Sequence, residues 1–180
     1  EELKRLDISI VRPDINSCYA DFKSDGKKFY YALGALKNVG FDAILNIVNE
    51  RIANGRFVSI NDFINRVNPK DINKLQLEGL VKAGAFDSLN NNRQSLFNSI
   101  PSIILYSKNM FENKLLNQND LFDNEEDTND NILEEIKDWK FEEKLSKEFH
   151  TLGFFMSDHP LNQFKTLYDE FKIKNYSEFI

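Results

Sequence analysis

Nine residues, Leu36-Lys37-Asn38-Val39-Gly40-Phe41-Asp42-Ala43-Ile44, combine a short apolar lead, a tight turn ending in Val-Gly and the start of an amphipathic helix. The chemistry this order suits is recognition of a phosphate. A glycine at the turn lets the backbone approach a partner with no Cβ in the way. The N–H groups at the start of the following helix point outward and can cradle an anion. Ala43 is small enough for two helices to pack closely, and Val39 plugs the space between them. The bland reading of the same stretch is an ordinary helical turn capped by glycine.

A second turn, Leu80-Val81-Lys82-Ala83-Gly84-Ala85-Phe86-Asp87, repeats the pattern about forty residues on, with Phe86 as its apolar plug. Alone it is weak, since glycine after a helix is the commonest stop signal. Two such turns side by side can grip both strands of a duplex across the minor groove, through the sugar–phosphate backbone and without reading sequence. The residues expected to touch DNA are Lys37, Asn38, Val39, Gly40, Lys82, Ala83 and Gly84, with Arg51 and Arg93 as further phosphate partners; a cation of this kind is more often just a solvated surface charge. A different kind of signal is Gln118-Asn119-Asp120-Leu121-Phe122. A Leu-Phe pair stranded in an acidic tract costs solubility and gains nothing for folding, so it suits a partner's apolar cleft. Gln118 is then placed to bond the partner's backbone; the competing reading tucks the pair onto this chain's own helices.

Other constellations carry less. No Asp-x-Asp occurs, so the rigid paired carboxylates of two-metal phosphoryl transfer are missing, and no catalytic residue is expected in this stretch. His150 and His159 stand apart with no Cys or His cluster, which leaves no expected metal site. Ser157-Asp158-His159 lists a nucleophile, an acid and a base, but neighbours in sequence do not face one another; with Pro160 they read as a turn. Cys18 is the single cysteine, so no internal disulfide can form, and a reducing, intracellular (cytoplasmic) setting is the plain expectation.

The elements that must hold these residues follow from periodicity. Leu6–Val11 alternates apolar and polar and predicts a strand; Asp25-Gly26 is a turn signal, and Phe29-Tyr30-Tyr31 predicts another strand. From Gly34 the period becomes helical. Stripes run through Ala43, Ile44, Ile47 and Val48; through Phe63, Ile64 and Val67 after a Ser59 cap; and through Leu75, Leu77, Leu80 and Val81. A longer helix is predicted from Asn92 to Leu116, kinked or divided at Pro101. The fold class expected is mainly α: a tandem helix-hairpin-helix with a small N-terminal β-hairpin and an acidic flexible linker. The expected units are 1–33 (extended), 34–116 (the tandem hairpins, binding duplex DNA), 117–138 (the acidic linker) and 139–180 (helical). The net charge of −6 is unevenly spread: residues 1–108 hold 15 Lys+Arg against 12 Asp+Glu, and the stretch 120–135 has no base at all. The N-terminal half is therefore mildly basic, which keeps a polyanionic partner open. No apolar stretch is long enough to span a bilayer.

In order, these segments resemble the alpha subunits of bacterial DNA polymerase III. Four stretches carry the resemblance: Val11-Arg12-Pro13-Asp14-Ile15-Asn16 with Asp21-Phe22; Leu33 to Gly40; Leu80 to Asp87; and Glu148 to Leu161, the run that precedes the family's OB-fold. The resemblance implies a piece of a DNA-directed DNA polymerase (a nucleotidyltransferase) covering the end of the fingers and the tandem hairpins. It implies that Gln118, Asp120, Leu121 and Phe122 form the internal motif that binds the sliding clamp (the beta subunit), giving processivity. Other holoenzyme subunits are implied as partners, and no membrane. No cofactor is implied for this stretch, with Mg2+ belonging to a catalytic palm outside it. Two departures stand out: Asn38 where the family has glycine, and Asp158 where it has glycine before His159-Pro160. Alternatives left open are a helical protein-binding adaptor that does not touch DNA, and the same region of an error-prone paralogue.

Overall fold

A computed structural model describes residues 5–117 and 132–171, with side chains throughout except at 115–117 and 169. The N-terminal part is a three-stranded sheet of β1 (Ser9–Val11), β2 (Lys23–Ser24) and β3 (Lys28–Tyr30), in the order β1-β3-β2. Strands β2 and β3 form the expected hairpin, antiparallel about Asp25-Gly26, with Gly26 at φ +90. Strand β1 pairs parallel to β3, with Ile10 opposite Phe29. It starts later than alternation alone suggests, because Asp7 adopts φ +56 and breaks the extended run after Leu6.

The helices follow with clear start and stop signals. Helix α1 (Phe41–Asn54) ends at Gly55, which takes φ +87 where a side chain would be strained. Helix α2 (Ile60–Arg66) is capped by Ser59, whose hydroxyl accepts from the Asp62 N–H, while Asp62 in return accepts from the Val58 N–H. Asn68 caps a 3-10 turn over Pro69–Asp71, and Asn73 caps α3 (Lys74–Lys82). Asn92 caps α4 (Arg93–Asn98). The predicted long helix is divided: α4 stops at Ser99, and α5 (Ile100–Asn117) restarts with Pro101 in its first turn, where its missing N–H costs nothing. Helix α6 (Phe141–Leu152) ends at Gly153 in the left-handed region. A 3-10 turn (Pro160–Phe164) leads into α7 (Lys165–Glu170).

Ile44, Ile47 and Val48 of α1, Phe63 and Ile64 of α2, and Leu77, Leu80 and Val81 of α3 all enter one core, whereas Leu75 points outward. That core also takes in Ile15, Cys18 and Ala20 from the N-terminal segment and Trp139 from beyond the acidic stretch. The expected boundaries at 33/34 and 138/139 therefore fall inside one packed unit. Phe57, Phe63 and Phe86 form an edge-to-face column at its centre, with centroids 5.1 and 5.0 Å apart. Of the expected linker at 117–138, residues 118–131 lie outside the described residues.

Candidate nucleic-acid interface

The first turn is built between a 3-10 turn at Leu33–Ala35 and α1. Gly34 is compelled by crowding: a methyl there would stand 2.7 Å from the Ala20 carbonyl oxygen. Leu36 and Val39 are buried, and the Val39 N–H closes the turn on the Leu36 carbonyl at 3.1 Å. Asn38 sits at the apex with φ +66, the left-handed geometry that asparagine adopts most readily after glycine. Gly40 caps α1 from an extended conformation with no side-chain acceptor, and the first intrahelical bond runs from Ile44 N–H to Gly40 O. The N–H groups of Phe41, Asp42 and Ala43 thus have no partner within the helix. Gly40 is exposed, and a methyl on it would make only ordinary contacts, 3.6 Å from Gln76 Oε1 and 3.9 Å from the Ala43 Cβ. Among the described residues nothing demands glycine there, so the backbone stays open to close approach from outside. Lys37 is exposed, whereas its N–H bonds the Thr151 carbonyl at 3.2 Å. Asp42 places negative charge in the same helical turn, so Lys37 is the cation that favours an anion here.

The turn is held from below by α3. A methyl on Gly79 would lie 2.8 Å from the Lys37 carbonyl oxygen and 2.8 Å from Val39 Cγ2. Glycine at 79 is therefore what lets the two segments touch backbone to helix. Gln76, buried beside it, donates to the Asp71 carbonyl at 2.7 Å.

The second turn is different. Ala83, Gly84, Ala85 and Phe86 are buried, and their surroundings use the backbone donors internally: Ala83 N–H to Gly79 O, Gly84 N–H to Val81 O and Ala85 N–H to Leu80 O. Gly84, at φ +76, lies directly beneath the Arg93 guanidinium, which a Cβ would strike at 2.1 Å. The expectation of exposed amides at Ala83 and Gly84 is thus corrected: that turn faces its own neighbours. Lys82 pairs with Glu78 at 3.1 Å and leans over the Phe97 ring.

Arg93 and Arg51 are also structural rather than free. Arg51 is buried, donates to the Ile15 carbonyl at 2.6 Å and lies over the Tyr19 ring. Burial weighs against its charge and lowers its pKa. Arg93 donates to both Asp87 oxygens, at 2.8 and 2.6 Å, and stands 3.6 Å from Glu148. Burial opposes the charge of Arg93, but Asp87 and Glu148 more than offset it and hold its pKa above the ordinary value. Glu148, 1% exposed, accepts from the Met156 and Ser157 N–H groups at 2.6 Å each and from the Ser157 hydroxyl. Arg12 reaches the Ser157 carbonyl at 2.9 Å. An ionic joint at buried Arg93 and Glu148 thus ties the second turn, α6 and the 153–158 segment together, and the exposed Arg12, just after β1, adds a hydrogen bond to it.

The comparisons with known proteins agree with the turn geometry. A family model described as a helix-hairpin-helix motif matches residues 7–96, half of the chain. The chain belongs to this helix-hairpin-helix family. It is 37% identical over 180 residues to DNA polymerase III subunit alpha of Borreliella burgdorferi, covering 97% of this chain and 16% of that protein. The same-named subunit of Caulobacter vibrioides is 32% identical (89% of this chain, 14% of that protein), and that of Campylobacter jejuni is 36% identical (91% and 14%). The chain thus spans about one-sixth to one-seventh of the length of these relatives.

Within the helix-hairpin-helix frame, the structure brings Lys37, Asn38, Val39 and Gly40 to one turn, with only Val39 buried. Gln118, Asp120, Leu121 and Phe122 lie outside the described residues. Sequence reasoning missed Glu148 and read Arg93 as a surface cation. The signal that was present is the placement of Glu148 three residues after buried Leu145 and three before buried Thr151, on the helix face that packs inward. Ser157-Asp158-His159 is a cap: Asp158 accepts from the His159 N–H and binds the Asn162 amide, and His159 Nδ1 accepts from the Leu161 N–H. Among the described residues, no cluster of His, Cys, Asp and Glu is placed to hold a metal ion, and no helix is long and apolar enough to cross a membrane.

Proposed function

We propose that this chain is the part of a replicative, DNA-directed DNA polymerase that holds duplex DNA by its backbone and docks the enzyme onto its sliding clamp. The single observation that carries the DNA contact is the exposed turn Lys37-Asn38-Val39-Gly40, with uncapped helix amides, a cation and an unhindered glycine at one point. Sequence-independent backbone binding follows from that chemistry, since amides and a lysine can recognise phosphate but not base edges. Similarity to polymerase alpha subunits supports placing the grip in a replicative enzyme working in the cytoplasm with other holoenzyme subunits. Catalysis and its Mg2+ belong, on this reading, to the remainder of the polypeptide.

The burial of the second turn favours a packing role for Ala83 and Gly84, so one hairpin rather than two makes the contact. Titrating labelled duplex into the chain tests this. Lys37→Glu is expected to weaken binding about tenfold and flatten its salt dependence, because one phosphate contact is lost. Lys82→Glu is expected to change it little. Equal effects of the two substitutions would restore the two-turn grip, and no effect of either would favour the protein-binding adaptor.

The clamp contact rests on the Gln118-Asn119-Asp120-Leu121-Phe122 pattern. Replacing Leu121 and Phe122 together by alanine should abolish clamp binding without altering the circular dichroism of the chain. Unchanged clamp affinity would remove that part of the proposal.

A further inference from the structure

The backbone of Lys37 is held from two sides, and one of them is the end of a helix far along the chain. An α-helix leaves its last four carbonyls without intrahelical donors. At the end of α6 the Gly153 N–H takes the carbonyl of Phe149, and that of Thr151 accepts from the Lys37 N–H at 3.2 Å. On the other side, Gly79 of α3 lies against the Lys37 carbonyl. The cation of the candidate grip is thus bounded by α6 at its N–H and by α3 at its C=O, while its side chain stays exposed.

What fixes the end of α6 lies on its inward face. Leu145, Glu148 and Thr151 follow one another at intervals of three residues, and all three are buried. Glu148, the middle one, stands 3.6 Å from Arg93, whose guanidinium binds both oxygens of Asp87 in the second turn. Arg93 also lies over Gly84, where a side chain would displace it. A series of direct contacts therefore runs from the second turn through Arg93 and Glu148 to the last turn of α6 and, by the Thr151 carbonyl, to Lys37. A buried ion pair is a weak source of net stability, since desolvation offsets its attraction. A directional hold on α6 gives the pair another use.

We propose that Arg93 and Glu148 are positioning residues for the duplex grip, fixing the end of α6 so that the Thr151 carbonyl sets Lys37 against a phosphate of the DNA backbone. The buried second turn then serves the same contact at one remove, as a buttress for the first turn. The proposal rests on the reading of Lys37 as a phosphate contact. It also carries an unusual sign. Losing the Glu148 carboxylate makes the chain less negative, which by itself favours a polyanion; loss of position acts the other way.

The test is a double-mutant cycle on the chain, with labelled blunt duplex titrated at one salt concentration and at a temperature where each variant keeps its circular dichroism. Glu148→Gln should weaken duplex binding roughly two- to tenfold despite the lost negative charge. In a Lys37→Glu background that loss should vanish, because the effect passes through Lys37. Amide exchange at Lys37 should quicken in Glu148→Gln more than at Ile47 in the core. Unchanged or tighter duplex binding in Glu148→Gln would overturn the positioning role, and so would a loss of equal size with and without Lys37, which is what a merely structural carboxylate gives. Unchanged Lys37 exchange would break the link at Thr151 and overturn it too. If Lys37→Glu alone leaves duplex binding unaltered, the phosphate reading of Lys37 falls and takes the positioning role with it, whatever the exchange shows. Should Glu148→Gln fail to fold, Asp138→Ala repeats the cycle with the same expected signs, since it frees the Gln94 N–H and Lys144 at the other end of α6.

Discussion

Asn38 shows how one side chain can stand in for the glycine of a tight turn. At φ +66 a β-branched residue meets its own backbone, at about 1–2 kcal/mol, whereas asparagine tolerates the geometry. Asn38→Val is therefore expected to lower stability by about that amount and to weaken duplex binding; Asn38→Gly should leave both near their starting values. Urea denaturation with a parallel DNA titration checks this, and an Asn38→Val chain as stable as the original would refute the strain argument. Cys18 offers a second reading at this scale. Burial pushes its pKa up to about 11 from 9.0, and its thiol donates to the Arg12 carbonyl. An unfolded thiol thus ionises before the folded one, so stability should fall as pH rises through 9 to 11, by at most about 2–3 kcal/mol from this group. Cys18→Ser should make that slope shallower, and at pH 8 a thiol reagent should react with the native chain only through unfolding. Residues of this kind were legible in advance where the requirement is local: the turn at 36–40, the Ser59 cap and the stop at Gly55 all depend on a few neighbouring positions.

At the scale of elements, the hairpin turn depends on a helix forty residues away. Gly79 is the point where α3 meets the Lys37 carbonyl and Val39, so Gly79→Ala should push the turn outward. The expected cost is about 1–3 kcal/mol of overpacking, together with weaker duplex binding, although residue 79 itself is buried away from any ligand. A Gly79→Ala chain with full stability and full affinity would show that the turn does not lean on α3. This is also where the sequence falls silent. Gly79 reads as a mild helix weakener and Leu80-Val81-Lys82-Ala83-Gly84 as a twin of the first turn, since nothing local separates a glycine that faces solvent from one that lies under Arg93. The division of the 92–116 helix at Ser99 was half legible: Pro101 announced a break, and its tolerance in a first turn placed that break just upstream.

For the whole molecule, the Arg93–Asp87–Glu148 joint decides whether the C-terminal arm stays attached. Glu148→Gln removes the carboxylate that gathers the Met156 and Ser157 amides and leaves Arg93 to Asp87 alone. A loss of about 2–4 kcal/mol is expected, with faster amide exchange and protease cleavage concentrated in 153–164 rather than in α1–α3. Uniform loosening of the whole chain would contradict it. No spacing rule could have announced this joint, because its members come from residues 12, 87, 93, 148 and 157, brought together only by packing.

Ser59, Asn73 and Asn92 cap α2, α3 and α4 through a hydroxyl or an amide and carry no proton to gain, whereas Asp138 adds a carboxylate at the Gln94 N–H in the first turn of α4. Asp138 ties the arm to that frame through the Gln94 N–H and also binds Lys144, while Asp158 binds Asn162 within the arm; both are held below the usual aspartate range. Their contribution is present above that range and disappears as pH drops through the lowered values. Souring the solution should therefore peel the arm from a helical frame whose ends remain tied, giving an acid form that keeps most of its helix yet has let go of residues 138–164.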